Sequence, residues 1–207
     1  MNNRLSSLHN TGVIFKSGLL FRNPVLVGAL GLFPIVSAAT GLKNGVALSV
    51  LFLMISVPSE LLFCAIGLLI PKWIRPAAIL LVSAVFYIPA FWVLQQWMPS
   101  TANNLGLAAA LMTCNSILYS RTEEYAPEHI FPAVLADAFG CSFGFAAVVC
   151  LVGSVRELWL TRDLWGHGSF YDGIGSGLNL PFAGFLFLGL LSAVVQKINL
   201  RRENVGA

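Results

Sequence analysis

The stretch that decides the fold is TCNSILYSRTEEYA, residues Thr113 to Ala126, in which an apolar run stops on polar and charged side chains. A weaker version of the same design, LGLFPIVSAAT, occupies Leu30 to Thr40, where an apolar run contains Pro34 and then becomes small and polar. Interrupted apolar runs of this kind are typical of membrane helices that break where the backbone faces protein or a cavity. The sequence therefore predicts two halves, each organised around one broken helix.

The composition places the chain among integral membrane proteins. Of its 207 residues, 57% are hydrophobic and 10% are charged, with a mean hydropathy of +0.80, whereas a soluble domain carries about 25% charged residues. The net charge of +3 is small and the basic residues lie at the ends of apolar runs, so a nucleic-acid-binding surface has little support. No phosphate loop, nucleophile motif or metal-ligand spacing is present, which disfavours a stand-alone enzyme.

Six stretches come near the length of a membrane span, for which about 20 mainly apolar residues are needed. They are Pro24 to Ala39, Val46 to Ile70, Pro76 to Trp97, Leu105 to Ser120, Phe131 to Val155 and Leu180 to Ile198. The first and the fourth are short. Pro34 in the first and Cys114 to Ser116 in the fourth predict where these two helices are broken.

The six stretches form two triplets with the same internal order, a short broken helix followed by two longer ones. Because three spans are an odd number, the second triplet must enter the membrane from the side opposite to the first. The predicted fold class is an all-α integral membrane protein of six transmembrane helices, in two inverted three-helix repeats with broken half-helices 1 and 4. It is a single membrane domain over residues 1–207, with repeat one at about 24–97 and repeat two at about 103–198.

The distribution of lysine and arginine predicts the orientation, because these residues are more frequent on the cytoplasmic side. With a cytoplasmic N-terminus, the nine inside residues are Arg4, Lys16, Arg22, Lys72, Arg75, Arg121, Lys197, Arg201 and Arg202. The three outside residues are Lys43, Arg156 and Arg162. Both terminal tails are therefore expected in the cytoplasm. The outside segment 156–179, rich in glycine and aromatic residues, is expected to form an irregular surface loop.

Glu60 is an ionisable residue about halfway along the second predicted span. An ionisable group at that depth costs at least a few kcal/mol unless it is paired, protonated or hydrated. Glu60 is therefore either a cation or proton site, or a neutral or paired structural carboxyl group. Pro58 leaves a backbone carbonyl free one turn earlier, and this oxygen could bind a cation together with Ser59 and Glu60.

Three further charged residues are candidates for an ion pathway. Asp137 in the fifth predicted span has two interpretations, an ion pair with Arg121 or a direct role in ion passage, and the ion pair is favoured. Arg121 and Glu123 follow the fourth span, where a solvated run of charges at a helix end is the simplest interpretation. Alternatively, these two residues anchor the half-helix and line an entrance.

Several stretches identify a family resemblance that extends over essentially the whole chain in order and spacing. They are NPVLVGALGLFP at Asn23 to Pro34, NSILYSRTEEYA at Asn115 to Ala126, LADAFGCSFGFAAVVCLVGSVRELW at Leu135 to Trp159, and LWG at Leu164 to Gly166. The chain resembles the E subunit of the Rnf electron transport complex and the D subunit of the sodium-translocating NADH:quinone reductase (Nqr). This resemblance implies six spans in two inverted triplets, and pairing with a homologous subunit of opposite orientation inside a larger membrane complex.

The resemblance also implies a cofactor, a [2Fe–2S] cluster that two such subunits share. Family members supply one cysteine from a motif like GLCP and another from a motif like NCxxxGRAEA. This chain has Phe33 and Ser116 at those two positions, and neither is an iron ligand of the usual thiolate kind. Cys114, two positions before Ser116, is the one nearby thiol that could substitute. The cluster is therefore expected to be absent or altered here.

Two functional hypotheses follow. The first is a bacterial inner-membrane subunit of a redox-driven ion pump of the Rnf or Nqr kind, which forms half of a midplane electron and ion pathway beside its inverted partner. The second is a cofactor-free paralogue that acts as an ion-coupled transporter, channel or assembly scaffold. The missing cysteines favour the second hypothesis, and the whole-length resemblance favours the first.

Overall fold

The structure, a computed structural model, describes residues 25–161, 165 and 181–206, and every regular element in these ranges is helical. The α-helices are α1 (Leu32–Ala38), α2 (Leu42–Ile66), α3 (Arg75–Trp97), α4 (Pro99–Leu105), α5 (Leu107–Ala110), α6 (Ser116–Ser120), α7 (Phe131–Thr161) and α8 (Pro181–Gly206). Between α5 and α7 the chain also forms a 3-10 turn at Leu111–Cys114, a π turn at Arg121–Tyr125 and a 3-10 turn at Ala126–Glu128.

Three helices in the described ranges are long and apolar enough to cross a membrane, namely Leu42–Ile66, Arg75–Trp97 and Phe131–Trp159. They correspond to the second, third and fifth predicted spans and are candidate membrane spans by length and composition, and the prediction of an all-helical protein is confirmed for the described ranges. The apolar part of α8, Phe182–Lys197, is shorter than the roughly 20 residues of a full span.

The first and fourth predicted spans are not continuous helices, as their interruptions predicted. The position of Pro34 differs from the prediction, because this residue lies in the first turn of α1 and does not break it. Proline is tolerated there because the first N–H groups of a helix have no partner within the helix. The break comes before α1, at Gly31, whose φ of 68° lies in the left-handed region.

The fifth predicted span is longer than expected. α7 continues to Thr161, so Arg156 and Glu157 belong to the helix and not to the loop predicted over 156–179. Except for Trp165, the remainder of that predicted loop lies outside the described residues, as does the N-terminal tail. Glu60 also lies nearer a helix end than predicted, in the last third of α2, because α2 ends at Ile66 and not at Ile70.

The centre of the fold is an antiparallel pair formed by α2 and α7. A Cβ atom added at Gly45, near the start of α2, would lie 3.2 Å from the carbonyl oxygen of Val149 in the second half of α7. Further along α2, the hydroxyl groups of Ser56 and Ser142 lie 2.9 Å apart and are buried. Small residues allow such close helix contact, and a hydroxyl pair links two helices where no water competes. One end of this pair contacts the end of α1, and the other end contacts the π turn that follows α6.

Candidate functional site

The two broken segments meet in space although they are far apart in the chain. The backbone N–H of Gly31, just before α1, donates a hydrogen bond of 2.8 Å to Oγ of Ser116, the first residue of α6. Beside this bond lies an open pocket of about 240 Å³, lined by Gly31, Leu32, Phe33, Pro34, Leu111, Cys114, Asn115 and Ser116. The three positions singled out for a cofactor, Phe33, Cys114 and Ser116, therefore line one pocket.

Local residue chemistry explains why both segments break at this point. Asn115 has extended backbone angles, and its Oδ1 accepts a hydrogen bond of 3.0 Å from the N–H of Ile117, so it caps the start of α6. At Gly31 an added Cβ atom would lie 2.8 Å from Cδ1 of Ile117 and 3.0 Å from Oδ1 of Asn115. Only glycine combines this close approach with a positive φ at little cost.

The donor chemistry of the pocket does not fit the iron–sulfur cluster that the family resemblance implies. Phe33 has no ligand atom, and its side chain is 55% exposed at the pocket. Ser116 Oγ already accepts the Gly31 hydrogen bond, and Cys114 is the single thiol among the lining residues. Within the described ranges, no group of three or more His, Cys, Asp or Glu side chains could hold a metal ion.

A second polar site lies at one end of the α2–α7 pair. Glu60 in α2 is 1% exposed and Asp137 in α7 is 4% exposed. Nη1 of Arg121, in the π turn, lies 3.6 Å from Oδ2 of Asp137, which is the ion pair that the sequence suggested. The charges of Asp137 and Arg121 both act on Glu60. The structure thus brings together three of the five residues predicted for an ion pathway, and Ser59 is buried next to Glu60.

Several buried polar atoms on α2, on α7 and in the π turn have no hydrogen-bond partner among the described residues. They are Ser59 Oγ, Glu60 Oε2, Arg121 Nε, Thr122 Oγ1 and Asp137 Oδ2. Buried polar groups in native proteins are almost always hydrogen-bonded to protein or to ordered water, so a set of buried atoms without hydrogen bonds requires an explanation such as water or an ion. We refer to these five residues as the charge cluster.

Thr122 was not predicted, because it belongs to a π turn that has no sequence signature, although such turns are frequent at functional sites. The turn presents buried Thr122 as well as Arg121 to the neighbouring helices. Glu123, in contrast, is half-buried beside Tyr119 and is not among the charges that act on Glu60. Burial, with a contribution from Asp137, raises the pKa of Tyr125 to about 12, so Tyr125 remains neutral beside the charge cluster.

The opposite end of the α2–α7 pair carries a clamp made by Arg156 and Glu157. Nη1 of Arg156 donates to the carbonyl oxygens of Val36 and Ala39, at 3.0 and 3.3 Å, at the end of α1. Oε2 of Glu157 accepts a hydrogen bond of 2.7 Å from the N–H of Leu42, the first residue of α2. The positive charge of Arg156 thus lies at the C-terminus of α1, and the negative charge of Glu157 lies at the N-terminus of α2. The helix dipoles favour both arrangements. The sequence placed both residues in the predicted outside loop and did not predict this clamp.

Comparison with known proteins identifies the family. The sequence model of the Rnf-Nqr subunit family, described as a membrane protein, matches residues 12–197. This chain belongs to the Rnf-Nqr family. The resemblance inferred from the motifs is thereby confirmed.

Individual relatives in the Rnf-Nqr family have modest identity over nearly their full length. The E subunit of a Na⁺-translocating ferredoxin:NAD⁺ oxidoreductase complex from Acetobacterium woodii is 28% identical over 182 residues, covering 86% of this chain and 92% of the relative. The E subunit of a proton-translocating complex of the same type from Clostridium ljungdahlii is 26% identical, covering 96% and 94%. The D subunit of a Na⁺-translocating NADH-quinone reductase from Pseudoalteromonas translucida is 27% identical, covering 86% and 88%.

The contact between the broken segments can be tested at Gly31. We expect Gly31→Ala to destabilise the protein by about 2 kcal/mol, because the new Cβ atom combines a close contact with an unfavourable positive φ. Thermal unfolding in detergent micelles measures the effect. Gly189→Ala is the matched control, since an added Cβ atom on α8 meets nothing within 4 Å and alanine favours a helix. Equal melting temperatures for the two variants would contradict the described junction.

The clamp can be tested at Glu157. We expect Glu157→Gln to lower stability by about 1 kcal/mol, because the first N–H of α2 loses a charged acceptor at a helix N-terminus. Glu128→Gln, at an exposed position of a 3-10 turn, serves as the control that removes the same charge without a helix-capping contact. The two melting curves in the same detergent provide the measurement, and a drop of equal size in both would refute the clamp.

Proposed function

We propose that this chain is a membrane subunit of a redox-driven ion-translocating complex, and that it forms half of a midplane pathway beside a homologous subunit of opposite orientation. The observation that carries the proposal is the contact between Gly31 and Ser116, which joins the two broken helices at one open pocket. Broken helices that meet in this way are the usual location of working sites in proteins with inverted repeats. Relatives of similar length are named as subunits of such complexes.

The proposed location is the inner membrane of a bacterium, with both termini in the cytoplasm. Arg121 lies at the same end of the α2–α7 pair as the loop that carries Lys72, because Gly67 at the end of α2 contacts Pro127. Lys43 and Arg156 lie at the other end. The separation of the basic residues between these ends supports the orientation inferred from nine inside residues against three outside.

The charge cluster is the proposed ion-handling part of the pathway. Arg121 offsets the charge of Asp137, which leaves the carboxylate of Glu60 to bind one cation or one proton. The hydroxyl oxygens of Ser59 and Thr122, which have no hydrogen bond among the described residues, and the carbonyl oxygen that Pro58 leaves free are the proposed neutral ligands of this cation or proton. Glu123 lines the entrance from the side of the π turn.

We expect Glu60→Gln to reduce ion uptake at least tenfold in proteoliposomes that contain the whole complex. The neutral amide lacks the negative charge with which a carboxylate binds a cation or a proton. Glu124→Gln, at an exposed position on the same π turn, should retain uptake. Uptake is measured after addition of the electron donor. Undiminished uptake by the Glu60 variant would exclude the charge cluster from the pathway.

The second candidate function is a cofactor-free paralogue that acts as an ion-coupled transporter, a channel or an assembly scaffold. The replacement of both expected thiols by Phe33 and Ser116 favours this candidate. Native membranes from a strain that lacks the chain discriminate the two. Loss of electron-driven ion uptake, restored by the wild-type chain, is the result expected for a pump subunit. Unchanged electron-driven uptake would favour the paralogue.

A further inference from the structure

We infer that the junction of the two broken helices is held together by protein alone, with the Ser116 hydroxyl as the brace, and that this chain ligates no iron–sulfur cluster there. The inference concerns the junction of the two broken helices, and it does not depend on whether the charge cluster binds an ion. It would make Ser116 a positioning residue at a place where the family resemblance implies a metal ligand.

The first argument is the number of available ligands. An all-cysteine [2Fe–2S] cluster needs four thiolates, so two chains that share it equally supply two each. The residues that line the pocket include a single thiol, Cys114. Phe33 offers only carbon atoms, and the carboxylates of the charge cluster belong to a different site. One thiol is half of what the cluster requires from this chain.

The second argument is the hydrogen bond that Ser116 already makes. The Gly31 N–H lies at the start of α1, where a helix leaves its first N–H groups without internal partners. Ser116 Oγ accepts from it at 2.8 Å, across 85 residues of sequence. The same hydroxyl lies at the start of α6, next to the Asn115 cap. One side chain therefore satisfies a backbone donor and fastens one half-helix to the other.

The third argument is that the backbone conformation and packing at Gly31 bring its N–H close enough to Ser116 to form this bond. Gly31 has a φ of 68°, and an added Cβ atom would be only 2.8 Å from Ile117 Cδ1. The backbone of Gly31 is thus placed directly against the start of α6, at hydrogen-bonding distance from Ser116. Such an approach provides the link between the half-helices without any bridging group.

Without the hydrogen bond between Ser116 and Gly31, the two half-helices should separate more often and widen the pocket. Cys114 reports on this change because its exposed thiol lines the pocket. We expect Ser116→Ala to increase the rate of maleimide labelling at Cys114 about fivefold, the population change that loss of one ordinary hydrogen bond allows. Ser116→Thr keeps a hydroxyl and should restore the wild-type rate. Ser120→Ala removes a hydroxyl whose hydrogen bond, among the residues that the structure describes, is to Glu124 at 3.4 Å, and it should not change the labelling rate.

Labelling is measured on the intact complex in detergent, with mass spectrometry to assign the modified cysteine. An unchanged rate in Ser116→Ala would overturn the brace. If that variant does not assemble while Ser116→Thr does, the hydroxyl is required for the joint, and the inference is supported. If neither the alanine nor the threonine variant assembles, the hydroxyl alone does not account for the joint, and the brace is overturned.

The absence of a cluster is tested by iron content. In the complex purified without oxygen, iron, acid-labile sulfide and the electron paramagnetic resonance spectrum after reduction should be the same for wild type and Cys114→Ser. Loss of about two iron atoms per complex in the Cys114 variant would overturn the inference, since a [2Fe–2S] cluster contains two. The iron measurement does not test the role of Glu60, and the uptake assay of the Glu60 variant does not test iron ligation. The two proposals can therefore fail separately.

Discussion

The constraint on which the structure depends is that a backbone polar group in lipid must find a partner inside the protein. A continuous helix meets this requirement by itself, but the short helix α1 does not, because it begins and ends within a few residues. The terminal groups of α1 are instead satisfied by distant side chains. Ser116 Oγ accepts a hydrogen bond from the N–H of Gly31, and Arg156 donates to two carbonyl groups at the end of α1. α1 is therefore stabilised by its contacts with α6 and α7.

The two ends of the α2–α7 pair are built from similar residue types but differ in how those residues are used. At one end the charges of Arg156 and Glu157 bind helix termini directly. At the other end the ion pair of Arg121 and Asp137 leaves polar atoms around Glu60 unpaired. Paired charges stabilise a fixed arrangement, whereas unpaired buried groups retain the capacity to bind. The difference gives the end with Arg156 and Glu157 a structural role and leaves the end with Glu60 as the site of the proposed ion handling.

The sequence predicted the membrane class, the long helices and the presence of both interruptions, because apolar length and irregular polar stretches are local properties, although the first break lies at Gly31 and not at Pro34. It placed Glu60 too close to a helix centre because the predicted span covered 46–70, whereas α2 covers Leu42–Ile66, and it excluded Arg156 from α7 because a charged pair resembles the end of a span. The clamp and the participation of Thr122 could not be predicted. They arise from contacts between residues more than 100 positions apart, or from a π turn that has no sequence signature. The six-span inverted repeat remains a prediction.

The hydrogen bond between Gly31 and Ser116 has a consequence for biogenesis. A joint made of a backbone amide and a hydroxyl forms as soon as both half-helices are inserted, and its strength does not depend on iron supply, on reducing conditions or on cluster-assembly proteins. A thiolate joint would depend on all three. On the inference that this chain ligates no cluster, its accumulation in a cell starved of iron would be limited by its partners and not by its own maturation.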